Sequence, residues 1–301
     1  MQTKRVIITY DISDLMEYIN WIYFFHAWGF QPRFAAVAEM CACEACRRGW
    51  LSSFKGEDGL KASEALMLFS EAKRMLNVLD RRYKIRAVYR LMDANADGDN
   101  IVFAGNVRLP LLRQQTSNRA DGAYLCLSDF IRPASSGVTD TVGLFAATAG
   151  DRIESNYEGD DYKLLLAKTL CERLAEAAAE KMHETVRKHV WGYAPDEQLS
   201  IQEMLREDWQ GIRPAVGYPS LPDISVSYIL DELLGMSEIG IRLTETGMMM
   251  PHASVCGLML AHPAATYFSV GKIDEVQLAD YAARRGFTVE KMRQFLSSNL
   301  Q

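Results

Sequence analysis

The stretch GIRPAVGYPSLPD, from Gly211 to Asp223, is the most unusual segment of this chain. Three prolines and two glycines among its residues predict a loop, because proline fixes φ and glycine tolerates turn conformations. A polar linker is excluded by four apolar side chains, those of Ile212, Val216, Tyr218 and Leu221. The segment therefore predicts a rigid, partly apolar loop that holds something in place.

The composition around this loop is that of an ordinary globular protein. The chain has 301 residues, of which 49% are hydrophobic and 24% charged, so it can bury a sizeable core. Its net charge of −6 argues against broad contact with nucleic-acid phosphates. No apolar run is long enough for a transmembrane helix, and the N-terminus lacks the features of a signal peptide. We therefore expect a cytoplasmic location.

Hydrophobic periodicity predicts an α+β fold built on an antiparallel sheet, because several strands follow one another directly among long helices. Helices are predicted for residues 12–28, 59–82, 160–191, 224–234 and 274–285. Strands are predicted for residues 5–11, 85–92, 100–107, 123–131, 141–150, 241–250 and within 253–271. Ser200 and Glu203 form a capping box that opens a further short helix before the proline-rich loop.

Two patterns have partial metal-ligand character. DANADGD, which contains Asp93, Asn95 and Asp97, copies the first half of a calcium loop, but Ala104 stands where the final glutamate is required. The flanks read as strands, which favours a solvated hairpin turn. Cys41-x-Cys43-x-x-Cys46 offers soft ligands for zinc or an iron–sulfur cluster. A closed site needs a fourth ligand and no second CxxC follows, so we predict a helix end here and no metal site.

Catalytic signatures are missing from the sequence. There is no GxGxxG after a strand, no GxxxxGK[ST], no HExxH and no GxSxG. The five histidines are dispersed, and nothing pairs a serine or cysteine with a base. We predict no catalytic residue, which leaves a binding domain.

At the proline-rich loop the sequence becomes specific. RPAVGYP, from Arg213 to Pro219, resembles the RPAxGYP signature of the activation domain of cobalamin-dependent methionine synthase, which binds S-adenosylmethionine (AdoMet). Further blocks resemble the family in order and spacing: NWIYFFHAWGF (20–30), LRQQT (112–116), SDFI (128–131), ERLAEAAAEKMHETVRKHVWGYAP (172–195), LTET (243–246), PHASVCG (251–257), HPAATYF (262–268) and DYAARRG (280–286). Only residues 35–60, which include the three clustered cysteines, show no resemblance.

The resemblance implies one curved α+β domain over residues 1–301, with a twisted antiparallel sheet flanked by long helices. AdoMet is expected in a shallow groove along the signature. The residues implied to bind it are Arg213, Pro214, Ala215, Gly217, Tyr218, Tyr267, Phe268, Glu207, Glu176 and Asn20. Arg213 matches the arginine for the AdoMet carboxylate, a role that suits a guanidinium fork.

One of these positions departs from the family pattern. The family often has an aspartate in a YIDW context, where this chain has Tyr18-Ile19-Asn20-Trp21. Asn20 can form hydrogen bonds but offers no negative charge to a cation. We expect AdoMet binding to survive and to be weaker by about 1 kcal/mol, the scale of charge assistance to one hydrogen bond.

The function implied is the reactivation of a methyltransferase. In the family, oxidised cob(II)alamin is restored by one electron, from flavodoxin in many bacteria, and a methyl group from AdoMet. The activation domain positions the sulfonium methyl, so no general acid or base is needed. The chain carries no DxHxxG signature, and we expect cobalamin only through a partner module.

The expected partners are the cobalamin-binding module and a flavodoxin-like reductant, with no nucleic acid and no membrane. The chain is expected to be a monomer on its own and inactive in isolation. It is interpreted as either a cut-out domain or a separate subunit that works in trans. The leading alternative is a docking or adaptor protein on the same fold, supported only by Asn20. An independent AdoMet-dependent methyltransferase would need a base or substrate pocket that the sequence does not indicate.

Overall fold

The computed structural model describes residues 4–41, 43–116, 122–150 and 152–300. Its strands are β1 (Val6–Asp11), β2 (Lys84–Asp97), β3 (Asn100–Phe103), β4 (Arg108–Pro110), β5 (Asp140–Thr148), β6 (Arg242–Leu243), β7 (Met249–Met250) and β8 (Ser254–Met259). Its α-helices are α1 (Trp21–Ala27), α2 (Glu44–Ser52), α3 (Glu57–Asp80), α4 (Asp161–Thr185), α5 (Ile201–Leu205), α6 (Val226–Leu234), α7 (Glu275–Arg285) and α8 (Val289–Phe295).

Strand β2 is the centre of a curled antiparallel sheet with the order β4-β3-β2-β5-β8. One edge of β2 serves two partners: β1 lies along its first half, with Val6 opposite Tyr89, and β3 pairs with its end, with Ala94 opposite Phe103. Strand β5 runs along the other edge, with Phe145 opposite Tyr89. The predicted α+β class with an antiparallel sheet and long flanking helices is confirmed.

Two hydrophobic layers cover the two faces of the sheet, because successive side chains of a strand point to opposite sides. On β2, Ile85 and Ala87 belong to the layer formed with α1, α3 and α4, whereas Val88 and Met92 belong to the layer formed with α6. A smaller cluster joins α7 and α8 through Leu278, Tyr281, Ala282, Met292 and Leu296. The central strands β2 and β5 are therefore largely buried on both sides.

Helix α4 crosses one face of the sheet and forms one side of the groove described below. Asp160 caps its start by accepting a hydrogen bond from the Lys163 N–H at 3.0 Å. Buried alanines, Ala175 and the run from Ala177 to Ala179, allow it to pack closely on the sheet. It continues into a π-helical turn over Val186–Val190, within the range that the sequence predicts as one long helix.

The predicted hairpin between β2 and β3 is confirmed, but its turn is shorter than predicted, because β2 continues to Asp97 and only Gly98 and Asp99 separate it from β3. Helix α6 ends at Gly235 and α7 at Gly286, both in the left-handed region that favours glycine. Helix α8 was not among the predicted elements. Within the described ranges, no helix is long and apolar enough to cross a membrane.

Four local predictions are wrong. The second strand predicted within 253–271, through His262 and Pro263, does not form: β8 ends at Met259, and a proline has no N–H to donate to a sheet. Residues 12–28 do not form one helix: a 3-10 turn, Met16–Tyr18, precedes α1, and the two are separated where Asn20 caps α1. Residues 123–131 contain a 3-10 turn, Leu127–Phe130, because the Asp129 carboxylate accepts the Cys126 N–H at 2.8 Å and closes a turn. Residues 241–250 form the two-stranded hairpin of β6 and β7 instead of one strand.

Candidate functional site

A groove of about 1080 Å³ lies between the proline-rich loop and one face of α4. Its remaining walls come from residues 18–27, from residues 205–208 at the end of α5, from residues 267–268, and from Phe145 on β5 and Val255 on β8. Seven separate segments of the chain thus meet at one concave surface. Such a concave surface with a few converging polar groups is typical of a ligand site.

The proline-rich loop is held in place by the sheet, because it lies beside β8 as an additional edge. Backbone hydrogen bonds join Val216 N to Cys256 O (2.9 Å), Leu258 N to Pro214 O (3.0 Å) and Ile212 N to Leu260 O (2.9 Å). Gly257 makes this approach possible, since a Cβ there would lie 2.2 Å from the Pro214 carbonyl oxygen. The rigidity predicted from the prolines is therefore reinforced by pairing with the sheet.

Helix α4 presents charged side chains to the groove from one face. Arg173, Glu176 and Glu180 are spaced by three and four residues, which places them above one another on a helix. Arg173 Nη1 donates to the Glu176 carboxylate at 2.6 Å. Burial raises the pKa of Glu176, while the charges of Arg173 and Arg213 act in the opposite direction.

The side chain of Arg213 lies on the floor of the groove and is paired with Glu180. Its Nη2 donates to Glu180 Oε2 at 2.6 Å and its Nη1 to the Ala179 carbonyl oxygen at 2.9 Å. The two paired side chains are only 12% and 8% exposed. The guanidinium therefore has a fixed position, with Nε and one N–H of each terminal nitrogen left for a further acceptor.

A second buried arginine, Arg187, lies next to the floor of the groove. Arg187 makes a bidentate pair with Glu197, at 2.6 and 2.9 Å, and donates to His183 Nδ1 at 2.9 Å. The indole of Trp209 contacts both guanidinium groups, with Arg187 Cζ at 4.7 Å and Arg213 Cζ at 5.5 Å from its ring centre. The pKa of His183 lies well below its usual value because of burial and the nearby charges of Arg213 and Arg187.

Tyr267 connects the opposite wall to the loop. Its hydroxyl oxygen accepts a hydrogen bond from the Arg213 backbone N–H at 3.0 Å. Burial raises the pKa of the nearby Glu207 carboxyl, while the charge of Arg213 and the Tyr267 hydroxyl act in the opposite direction. Burial likewise raises the pKa of Tyr267 to about 12. Glu207 has a φ of 63°, a left-handed conformation uncommon for glutamate, at the turn after α5.

Asn20 reaches the groove from the N-terminus of α1. Its Oδ1 accepts the backbone N–H groups of Ile22 and Tyr23 at 3.1 and 3.4 Å, so it acts as the N-cap of that helix. The amide nitrogen is the part of this side chain that remains for a ligand. Asn20 is therefore a structural residue as well as a groove residue.

Nine of the ten residues that the resemblance implies line this one groove, namely Asn20, Glu176, Glu207, Arg213, Pro214, Ala215, Tyr218, Tyr267 and Phe268. The tenth, Gly217, lies in the same loop with a φ of 87°. Sequence reasoning missed Arg173, Glu180, Tyr23 and Phe145, which also line it. Arg173 and Glu180 could have been found from their spacing to Glu176 on α4.

The chemistry of the groove suits a ligand that carries both a carboxylate and a cation. Arg213 offers donors, Glu176 and Glu207 offer carboxylates, and aromatic rings line the walls. Glu180 keeps one buried oxygen, Oε1, without a hydrogen-bond partner among the described residues. The hydroxyl of Ser220, a further groove residue, is engaged with the Phe268 backbone. The groove is thus better equipped for binding than for nucleophilic catalysis.

Comparison with known proteins identifies the family. A crystal structure of the MetH reactivation domain bound to AdoHcy is similar to this chain, with 36% sequence identity and a TM-score of 0.87. The match covers 100% of this chain and 91% of that one. The family model for the activation domain of vitamin B12-dependent methionine synthase matches residues 11–286. The chain therefore belongs to the family of vitamin B12-dependent methionine synthase activation domains.

Proposed function

We propose that this chain binds AdoMet in the groove and positions it for reductive methylation of cob(II)alamin held by a separate cobalamin module. The observation that carries the proposal is the convergence of nine implied ligand residues on one groove. The AdoHcy bound to the similar MetH reactivation domain supports the same ligand class, because AdoHcy is AdoMet without its transferable methyl group.

The residues present fit the parts of AdoMet. The fixed guanidinium of Arg213 has N–H groups left for the carboxylate of the ligand. Glu176 and Glu207 supply negative charge for the ammonium and sulfonium groups, and Tyr218 and Tyr267 add aromatic faces. The backbone of the loop, held against β8, needs no rearrangement to contact an adenine ring, which lowers the entropic cost of binding.

AdoMet would supply a methyl group as a cation and a flavodoxin-like reductant would supply one electron. The cobalamin held by the partner module would take up both, with AdoHcy as the other product. The chain itself would contribute orientation of the ligand and exclusion of alternative poses. A sulfonium is a good leaving group, so no proton transfer by a protein side chain is required. We accordingly propose that the isolated chain, as a cytoplasmic monomer, has no turnover without the cobalamin module.

The test of ligand binding is calorimetric titration with AdoMet of the wild type and an Arg213→Met/Glu180→Met double variant. The double variant removes the guanidinium without leaving a buried unpaired charge, so that loss of binding is not caused by misfolding. The matched control is Arg108→Met, which removes an arginine from an exposed pair with Asp97 outside the groove. We expect the wild type and the control to bind and the double variant to lose at least tenfold in affinity.

Absence of AdoMet binding by the wild type would contradict the proposed function, and unchanged affinity in the double variant would contradict the role of Arg213. Methyl transfer is tested separately with AdoMet carrying a labelled methyl group, a cobalamin module in the cob(II)alamin form and a one-electron reductant. Label on the cobalamin only when this chain is present is the expected result.

The alternative is a docking or adaptor protein on the same fold without AdoMet turnover. The observation that favours it is Asn20, which offers no charge to a cationic ligand and whose Oδ1 is already engaged in capping α1. Under this alternative the Arg213→Met/Glu180→Met variant would bind the cobalamin module as the wild type does, and no label would be transferred.

A further inference from the structure

Three exposed cysteines form a compact cluster outside the groove. Cys41, Cys43 and Cys46 lie just before and within the first turn of α2, and their sulfur atoms all lie within 4.8 Å of one another. None of them lines the groove. Among the described residues, this is the only group of three or more His, Cys, Asp or Glu side chains that the structure brings within metal-binding distance.

The segment that carries the cluster is anchored to the core at both ends. On the N-terminal side, Phe34 is 1% exposed and belongs to the main hydrophobic cluster. On the C-terminal side, Phe54 stacks on Phe34 with ring centres 5.3 Å apart, and Trp50 contacts Phe54 edge-on at 5.0 Å. Aromatic contacts of this kind fix the path of the chain. The thiols are therefore presented from a supported turn.

The sulfur separations favour one metal ion over the other uses of three cysteines. Three thiolates at a Zn–S distance of about 2.3 Å lie about 3.8 Å from one another in tetrahedral geometry. The cluster needs only a small contraction from its present separations to reach that value. An iron–sulfur cube would need its ligands spread over separate corners, and a disulfide would use only two of the three thiols.

We propose that Cys41, Cys43 and Cys46 bind one thiophilic closed-shell cation, Zn²⁺ or Cu⁺, through three thiolates with the remaining coordination position open to solvent. The sequence pattern alone predicts no metal, because a closed structural site requires a fourth protein ligand. An open three-ligand site does not require one, and all three thiols are exposed.

The immediate surroundings are compatible with a thiolate site. The Cys43 N–H points to Cys41 Sγ at 3.4 Å, and the Cys46 N–H points to Cys43 Sγ at 3.3 Å. Donors to the ligand atoms of this kind orient a first coordination shell. Binding replaces the thiol protons with the metal and releases them to solvent, and no electron is exchanged. Three thiolates around Zn²⁺ leave one negative charge, and the exposed Arg47 and Arg48 follow Cys46 directly in the sequence.

The test is competition of the reduced, metal-free protein with a chromophoric zinc chelator, followed by the same titration with Cu⁺ under anaerobic conditions. We expect one equivalent of metal per chain. The triple variant Cys41→Ser/Cys43→Ser/Cys46→Ser should lose binding by at least a hundredfold. Glu44→Gln, the matched control, removes the carboxylate between the ligands and should retain the site. Substitution with Co²⁺ should give a thiolate-to-cobalt charge-transfer band that is absent from the triple variant.

The two titrations decide which cation the site prefers. Equal metal affinity in the wild type and the triple variant would overturn the proposal. So would half an equivalent of metal per chain, which indicates a site shared between two molecules, or the uptake of iron and sulfide as a multinuclear cluster. AdoMet affinity of the triple variant should equal that of the wild type, so failure of this proposal is separable from failure of the proposed function.

Discussion

Glu180 and Arg213 form a charged pair on the floor of the groove, with Arg213 Nη2 2.6 Å from Glu180 Oε2. The two residues come from α4 and from the proline-rich loop, so the pair joins the two main walls of the site. Because both side chains are almost fully buried, each depends on the other for compensation of its charge.

Removal of one partner should therefore lower the free energy of unfolding more than removal of both. We expect Glu180→Met and Arg213→Met each to lower the free energy of unfolding by about 3–5 kcal/mol, because a buried charge is left unpaired. The double variant should cost clearly less than the sum. Urea denaturation provides the measurement. In the exposed pair of Arg108 and Asp97, the same substitutions should cost less than about 1 kcal/mol. Additive losses for Glu180 and Arg213 would contradict the pairing.

Gly257→Ala should separate the proline-rich loop from β8. The added Cβ would meet the Pro214 carbonyl oxygen and Ala215 Cα, so the loop must shift. We expect a loss of about 1–3 kcal/mol in stability, the usual cost of overpacking, together with at least tenfold weaker AdoMet binding. Gly49→Ala in α2 meets nothing within 4 Å and should be neutral or slightly stabilising. Equal stability and equal AdoMet affinity of the two variants would contradict the pairing of the loop with β8.

Asn20→Asp should strengthen AdoMet binding without disturbing α1. Aspartate is an equally good N-cap, so the hydrogen bonds to Ile22 and Tyr23 are retained. The added charge should improve the affinity by about 1 kcal/mol, which is about fivefold, as charge assistance to one hydrogen bond does. Calorimetry is again the measurement. Asn20→Ala is the control and should lose about 1 kcal/mol of stability through loss of the cap. An AdoMet affinity of Asn20→Asp no higher than that of the wild type would contradict the prediction.

AdoMet affinity should fall as the pH is lowered through the acidic range. Burial raises the pKa values of Glu176 and Glu207, so both carboxylates lose their charge at a higher pH than ordinary glutamates do. A cationic ligand binds the charged form, and each proton taken up weakens binding by up to about tenfold per pH unit. Glu176→Gln should bind more weakly at neutral pH and show a flatter profile. Glu64→Gln, an exposed position on α3 outside the groove, should behave as the wild type.

Folding stability should decrease on acidification because of His183. The pKa of this buried histidine is depressed in the folded state, so below its unfolded value of about 6.5 the unfolded chain takes up a proton that the folded chain does not. Its contribution to stability is complete above that value and is lost as the pH falls toward the folded pKa. We expect an added slope of about 1.4 kcal/mol per pH unit in the wild type. His183→Gln should remove that slope and the exposed His252→Gln should not, as measured by denaturation at several pH values.

The lining of the groove was predictable where the sequence signal is local. The proline-rich loop and the pair Tyr267 and Phe268 are contiguous motifs, and the structure places them in one groove. The pairing of Arg213 with Glu180 was not predictable. A glutamate on an alanine-rich helix face predicts a cationic partner, because buried charges are paired. That partner, however, lies 33 residues away in the sequence. Only the packing of α4 on the sheet brings the two together.

Local periodicity failed where side-chain capping overrides it. The apolar run from Ala123 to Ile131 resembles a strand, yet Asp129 bonds the Cys126 N–H and also pairs with Arg113, so the chain turns there. Asn20 divides a predicted helix in the same way, because its side chain caps the second half. Such hydrogen bonds compete with regular structure and leave little trace in the hydrophobic pattern. A single domain over residues 1–301 stays a prediction.

The pairing of the proline-rich loop with β8 has a consequence for the order of events in the proposed reaction. A loop bonded to a sheet edge cannot swing aside to admit a ligand without breaking those bonds. Exchange of AdoMet and AdoHcy must then occur through the outer mouth of the groove, beside the exposed ring of Tyr218. The cobalamin module would have to cover that same mouth to reach the methyl group. Under the proposed function, loading therefore precedes docking, and spent ligand leaves only after the two modules separate.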